Sequence, residues 1–371
     1  MKNKITTTLI FSIIFLYSCD QDEEINRAKT LKIKNVAAGT SHTLVVDTNG
    51  SLWANGLNNN GQIGNNTRGQ FRAKPINLMS DVALIATGSR HNLIVKTDGS
   101  LWSNGYNRSG QLGDGTTDDW STPVKIMSDV TFVSGGDNHS LMIKEDKSLW
   151  SSGDNYYGQL GDGTEEDKYT PVKVLTNVST VSGGGRHTLI IKTDGSLWAT
   201  GDNSAGQLGD GTLENKKTPV KVMTDVASVS AGDRHSLIVK TDGSLWVTGD
   251  NSNGQLGDGT IQSRKTPVKI MTDVASVSAG DRHSLIVKTD GSLWATGDNE
   301  FGQLGDSSTI NKNVPIEIAY KVISSSAGTF HSVFIKTDSS LWATGLNMYG
   351  QLGNGTTDQA LEPILILDSN D

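Results

Sequence analysis

A histidine returns every 48 residues. His42, His91, His139, His187, His235, His283 and His331 are separated by 49 residues once and by 48 five times, and Trp53, Trp102, Trp150, Trp198, Trp246, Trp294 and Trp342 keep the same steps. A period held this strictly confines the chain to folds in which one supersecondary unit is copied and stacked on its neighbours. For 371 residues, length alone suggests two domains. The repeat overrides that and predicts one body of seven units, about 31–79, 80–127, 128–175, 176–223, 224–271, 272–319 and 320–371.

The unit over 224–271 shows what is being copied. Val226 to Ser230 predicts a short strand ending at Ala231-Gly232, His235 to Lys240 a second and Ser244 to Thr248 a third. Asp242-Gly243 between the last two reads as a two-residue hairpin link with both residues at positive φ. A long polar loop, Asp250 to Thr266, leads to a fourth strand, Pro267 to Met271. Runs such as Leu237-Ile238-Val239 are apolar on both parities, as expected of a sheet sandwiched between two others. Four short antiparallel strands per unit, with no helical periodicity, describe one propeller blade. The expectation is therefore an all-β fold, a seven-bladed β-propeller of about 48-residue four-stranded blades.

Repetition also sorts structure from function. A catalyst is needed once, whereas a packing or hydrogen-bonding group is needed in every blade. The seven histidines accordingly read as structural, tying the first loop of each blade to backbone, and the seven periodic tryptophans read as core. Asp114-Gly115, Asp162-Gly163, Asp210-Gly211 and Asp258-Gly259 lack the alternating oxygen ligands and distal Glu of a calcium loop and read as turns. No catalytic set, cofactor or metal is expected. One cysteine among 371 residues excludes a disulfide framework, and 32 basic against 40 acidic residues argue against a nucleic-acid partner.

The blocks Gly232-Asp-Arg-His-Ser236, Leu245-Trp-Val-Thr-Gly249 and Asn251-Ser-Asn-Gly-Gln-Leu-Gly-Asp-Gly259 recur in all seven units, with Ile63 replacing Leu once. What recurs is the pattern and not each residue, Gly39-Thr-Ser-His-Thr43 standing in unit one for example; it resembles the regulator of chromosome condensation repeat, and the resemblance covers 31–367. It implies a seven-bladed propeller but carries function less far, because propellers host unrelated activities. Nucleotide exchange on a small GTPase, the activity of the founding member, is not expected of an exported chain whose near-constant spacing leaves no room for an inserted wedge.

Export is the reading of the N-terminus. Lys2 and Lys4 precede an uncharged apolar run, 5–18, too short to span a bilayer. Its end, Leu16-Tyr17-Ser18-Cys19, resembles a bacterial lipobox, so 1–18 is expected to be a lipoprotein signal peptide and Cys19 the lipidated residue. The acidic stretch that follows opens a solvated tether, 19–30, and resembles the export signal of surface-exposed lipoproteins. The expected location is the bacterial envelope, with membrane contact through the lipid alone.

Function should sit where the units differ. Strand alternation puts the first-to-second loops and the long third-to-fourth loops on one face, with the short hairpins on the other. Aromatic residues are uneven on the long-loop face: Phe71, Trp120, Tyr156, Tyr157, Tyr169, Phe301 and Tyr349, joined by Phe330 and Arg90 from the shorter loops. They trace an arc through blades six, seven, one, two and three. Trp120, outside the tryptophan register, is the leading candidate because Trp, Tyr and Arg dominate interface hot spots. The expectation is a non-enzymatic, monomeric, lipid-anchored binding protein whose long-loop face takes a protein partner. A glycan-binding lipoprotein and a propeller enzyme of unknown reaction are the alternatives.

Overall fold

Hydrogen bonding follows chain order within each unit. In a computed structural model that describes residues 32–367, Ile33–Ala38, His42–Asp47, Leu52–Gly56 and Arg72–Met79 pair antiparallel in sequence. Six further sheets repeat the order, the last being Val322–Ala327, His331–Lys336, Leu341–Gly345 and Ala360–Leu367. The first strands line a central axis and the fourth strands form the rim. The chain is all-β, a seven-bladed propeller, and among the described residues there is no helix. The signal segment, the tether and Cys19 lie outside the described residues.

Each second strand buries at least five of its six residues, as in His235–Lys240. Leu237, Val239, Leu245, Val247 and Leu256 of blade five close against Val274 and Ile286 of blade six. Every seam repeats this contact, each large apolar side chain contributing about 1.5–3 kcal/mol on burial. The periodic tryptophans sit at the edge of these clusters, half-buried; six of them donate Nε1–H to a serine two residues earlier, as Trp246 does to Ser244 at 3.0 Å.

Toward the long-loop face each seam carries a polar relay. His187 Nε2 lies 2.9 Å from Ser236 Oγ of the next blade, and that hydroxyl donates its one proton to the Gln207 carbonyl at 2.8 Å. The ring must therefore be the donor, which makes it the neutral Nε2–H tautomer. The same relay runs through Ser140, Thr188, Ser284, Ser332 and Thr43, with Asn92 in the remaining seam. The histidines thus bind a side chain of the neighbouring blade, and that side chain binds the backbone; the direct tie to backbone expected from sequence is replaced by this two-step link. All seven are fully buried. Burial lowers their pKa values to about 3 for His91, His187, His283 and His331, and to about 4 for His42, His139 and His235.

Two local expectations are corrected. In the Asp242-Gly243 hairpin only Gly243 has positive φ, 76°, and Gly243 N–H donates to Lys240 O at 2.9 Å. The loop is three residues long, a turn ending in a left-handed glycine, and Asp242 Oδ1 accepts the Ser244 N–H. The fourth strand begins at Arg264, three residues before Pro267, so the outer strands reach further toward the long-loop face.

Among the described residues the ring closes without strand exchange. Ile33, Val36 and Val45 of blade one pack with Val333, Ile335, Leu341 and Leu352 of blade seven. Thr43 Oγ1 bridges His331 Nε2 and the Gln351 carbonyl, and Asn55 Nδ2 donates to Gly350 O. The closing seam is built like the other six.

Candidate functional site

On the long-loop face the axis opens into a cavity of about 710 Å³. The first-to-second loops form its floor, and Tyr157, Arg186, Asp202, Ser204 and Arg234 form one wall. The lining residue two before each histidine differs from blade to blade: Thr40, Ser89, Asp137, Gly185, Asp233, Asp281 and Thr329. Three of the seven are carboxylates. Burial pushes Asp233 up to about 6, helped by the Asp281 carboxyl beside it, and burial raises Asp281 and Asp137 as well. Ser89 Oγ donates to Asp137 Oδ1 at 2.5 Å. Outside these acids stand Arg186, Arg234 and Arg282, so the mouth presents carboxyl groups within and guanidinium groups around them.

The aromatic candidates fall into separate groups. Tyr156, 71% exposed, meets the Tyr157 ring edge-on at 4.9 Å between centroids. Arg186 donates to the Tyr157 hydroxyl at 3.0 Å and lies 5.0 Å from its ring centroid, joining blades three and four at the cavity wall. Phe301 and Phe330 pair across blades six and seven, 5.0 Å between centroids. Phe71 is exposed just before the outer strand of blade one, Tyr349 is half-buried beside exposed Met348, and Arg90 is exposed in the first loop of blade two.

Trp120 and Tyr169 are not loop residues. Tyr169 is the second residue of the outer strand Lys168–Leu175, its ring over Gly110 of blade two. Trp120 opens the outer strand Trp120–Met127 and pairs with Gly105, the register held by Arg72, Lys168, Lys216, Arg264, Lys312 and Ala360 elsewhere. In blades three to six that residue is a cation paired with the loop aspartate: Lys168–Asp162, Lys216–Asp210, Arg264–Asp258 and Lys312–Asp306, all within 3.6 Å. Trp120 Nε1 instead donates to Asp114 Oδ2 at 2.7 Å. The indole does the repeat's structural task while leaving the side chain 38% exposed. Replacing Trp120 with Lys should keep stability within about 0.5 kcal/mol of wild type, whereas Ala should cost about 1–2 kcal/mol. Urea titration of both variants checks this; equal losses would remove the Asp114 bond from the account.

The loop aspartates themselves serve turns. Asp114 Oδ1 accepts from Thr116 N–H at 3.0 Å and from Asn107 Nδ2 at 3.1 Å. Among the described residues no three His, Cys, Asp or Glu side chains converge as a metal site.

From the first loops the sequence reading singled out only Phe330 and Arg90, and on the long loops it left out the exposed aliphatics Leu213, Ile261 and Ile310 of blades four to six. Counting aromatics alone hid the latter, and the arc becomes a full circuit of exposed apolar groups. The signal for the lining residues of the first loops was the variation of both residues before each histidine, Thr, Ser, Asp or Gly and then Ser, Arg, Asn or Phe, inside an otherwise repeated block.

The RCC1-like domain family matches residues 18–225 and 176–371. The chain belongs to that family. Yeast RCC1 (Prp20), solved bound to Kap60, is similar at 20% identity with a TM-score of 0.78, covering 99% of this chain and 90% of that one. Prp20p from Saccharomyces cerevisiae, described with its binding to Gsp1p and histones, gives 21% and 0.76 over 92% and 88%. Human WBSCR16 gives 22% and 0.73 over 81% and 85%. No curated protein matches the sequence significantly. At these identities the likeness speaks for the fold.

Proposed function

We propose that this RCC1-like propeller is a lipid-anchored, extracytoplasmic, non-catalytic protein whose long-loop face binds a protein partner. The observation that carries the reading is the distribution of difference. Loops of the long-loop face change character from blade to blade, and they surround a cavity with acidic and guanidinium groups at one rim and exposed rings outside. A cavity of about 710 Å³ takes protruding side chains of a partner, and the ring of exposed Tyr156, Phe71, Met348, Leu213 and Ile261 supplies contact area around it. The repeated histidines offer no chemistry there, being buried and held neutral. That yeast RCC1 was solved with Kap60, and Prp20p described with Gsp1p and histones, gives precedent for protein partners of proteins with this fold.

The anchored setting rests on Cys19. The chain enters the ring at Lys32, whose carbonyl accepts the Thr48 N–H of the first hairpin, so a tether from Cys19 reaches the hairpin face and leaves the long-loop face outward. A photo-crosslinking residue at Tyr156 should capture one discrete protein in cells, and the same residue at Thr193 on the hairpin face should not. Capture should be lost with Arg186→Ala/Arg234→Ala, and Cys19→Ala should move the protein from membrane to soluble fractions. Crosslinking from both positions alike, or glycan and no protein at Tyr156, would discard the reading.

A further inference from the structure

On the hairpin face the turns between blades are alike for five blades and then change. Each turn from an outer strand to the next blade holds an acid or amide at left-handed φ: Asp81, Asp129, Asn177, Asp225 and Asp273, at 60–64°. Asp and Asn suit that conformation because their short side chains bond locally. At the sixth turn the residue is Lys321, at φ 59°, with no such compensation. It is flanked by Tyr320, 68% exposed, and by Ile323, 54% exposed, where the other blades have Ser or Thr and Ala, Thr or Ser.

Across blade seven the same change recurs. Lys32 and Lys34 stand where Lys321 and Ile323 stand in the preceding turn, both exposed. Leu365 is exposed on the outer strand at the position held by Lys125, Lys173, Lys221 and Lys269 in blades two to five. Backbone bonds tie these pieces into one sector: Thr337 N–H to Lys321 O at 2.8 Å, and Ile33 N–H to Ser339 O at 3.3 Å. Lys336, over the Trp342 ring at 3.8 Å, lies among them. Against these four lysines stand four acids among the described residues, Glu317 and Asp290 near Tyr320, Asp338 near Lys336, and buried Asp47 beside the Thr48 whose N–H donates to Lys32 O.

We infer that this sector, Tyr320, Lys321, Ile323, Lys32, Lys34 and Leu365, docks on the surface of an anionic lipid bilayer. It rests on the anchored reading above and adds a protein contact where the sequence suggested lipid alone. Three features point to a bilayer. Exposed lysines around a Tyr and aliphatic side chains suit an interface where rings and methyl groups enter between headgroups and ammonium groups meet phosphates. The replacement of the turn acids by lysines is confined to the sector. The chain also enters the ring there, at Lys32, with only twelve residues between it and Cys19, a reach of about 45 Å at most. Docking would fix the tilt of the ring, with blade seven down and the long-loop face turned away from the lipid.

Thr337 and Thr241 are the same residue at the same hairpin position in blades seven and five, both exposed. The test uses the lipidated full chain in vesicles of phosphatidylethanolamine and phosphatidylglycerol, with Thr337→Cys or Thr241→Cys carrying an environment-sensitive dye; lipidated Cys19 takes none. Quenching by spin-labelled lipid should be about threefold or more stronger at 337, and Lys321→Glu/Ile323→Ser should abolish the difference. Equal quenching at both sites in protein that floats with the vesicles overturns the docking and leaves the anchor standing. So does a difference that survives the double variant. A chain that does not float overturns anchor and docking together.

Discussion

Acidification from neutral pH is expected to unfold the ring in one cooperative step with its midpoint above pH 4. The seven buried histidines have folded pKa values of about 3 to 4, below the 6.5 of an exposed ring. Their contribution is complete above pH 6.5 and is lost as pH falls toward 4, because the unfolded chain takes up protons that the native state refuses. Each such proton is worth about 1.4 kcal/mol per pH unit. Asp137, Asp167, Asp233 and Asp281, raised in the native state, bind protons before the unfolded chain does and work in the opposite direction. Even with all four of these acids fully protonated in the native state, unfolding near pH 5 takes up about three protons, so stability falls by at least about 4 kcal/mol per pH unit, set against a total of about 5–15 kcal/mol. Calorimetry in two buffers of different ionisation enthalpy counts the protons directly. Net uptake near zero, or release, would mean that the histidines are not held neutral in the seams.

The second large effect is expected from one methyl group. Gly249 pairs with His235 at the end of the third strand of blade five, at φ 103°, and a Cβ there would press on the Arg234 carbonyl oxygen and sit 2.7 Å from His235 Cα. His235 is locked in its sheet and the Arg234 carbonyl is held by the Asp250 N–H at 2.8 Å, so neither can easily yield. Gly259, in the long loop of the same blade, has φ 81° and open space around its Cβ position. Gly249→Ala should cost about 3 kcal/mol or more, and Gly259→Ala only the left-handed penalty of about 1 kcal/mol. Thermal melts of the two variants give the comparison; similar shifts would show that φ alone, and not the close approach, dictates glycine at 249.

The fold was legible because the signal came seven times. An isolated Leu237-Ile238-Val239 does not distinguish a buried strand from a buried helix segment, but seven copies between glycine-marked turns do. What sequence could not resolve were contacts between blades. His187 reaches Ser236 and Tyr157 meets Arg186 only once the ring is closed, and the Asp242-Gly243 pair fits two hairpin geometries that differ in a single φ. Trp120 was placed in a loop for a related reason. Its departure from the tryptophan register was plain, whereas its place in a register of lysines and arginines needed the true start of the outer strand.

Closure by packing alone has a consequence for how such a chain is assembled in evolution. Because the described strands of the first and last blades form separate sheets, any inter-blade turn could serve as the opening of the chain, and circular permutants cut between blades should close equally well. One complete unit is also the natural length for recombination to add or copy. The segments 219–251 and 267–299 differ only at Val222/Ile270 and Val247/Ala295, the trace of one blade having been written over by its neighbour.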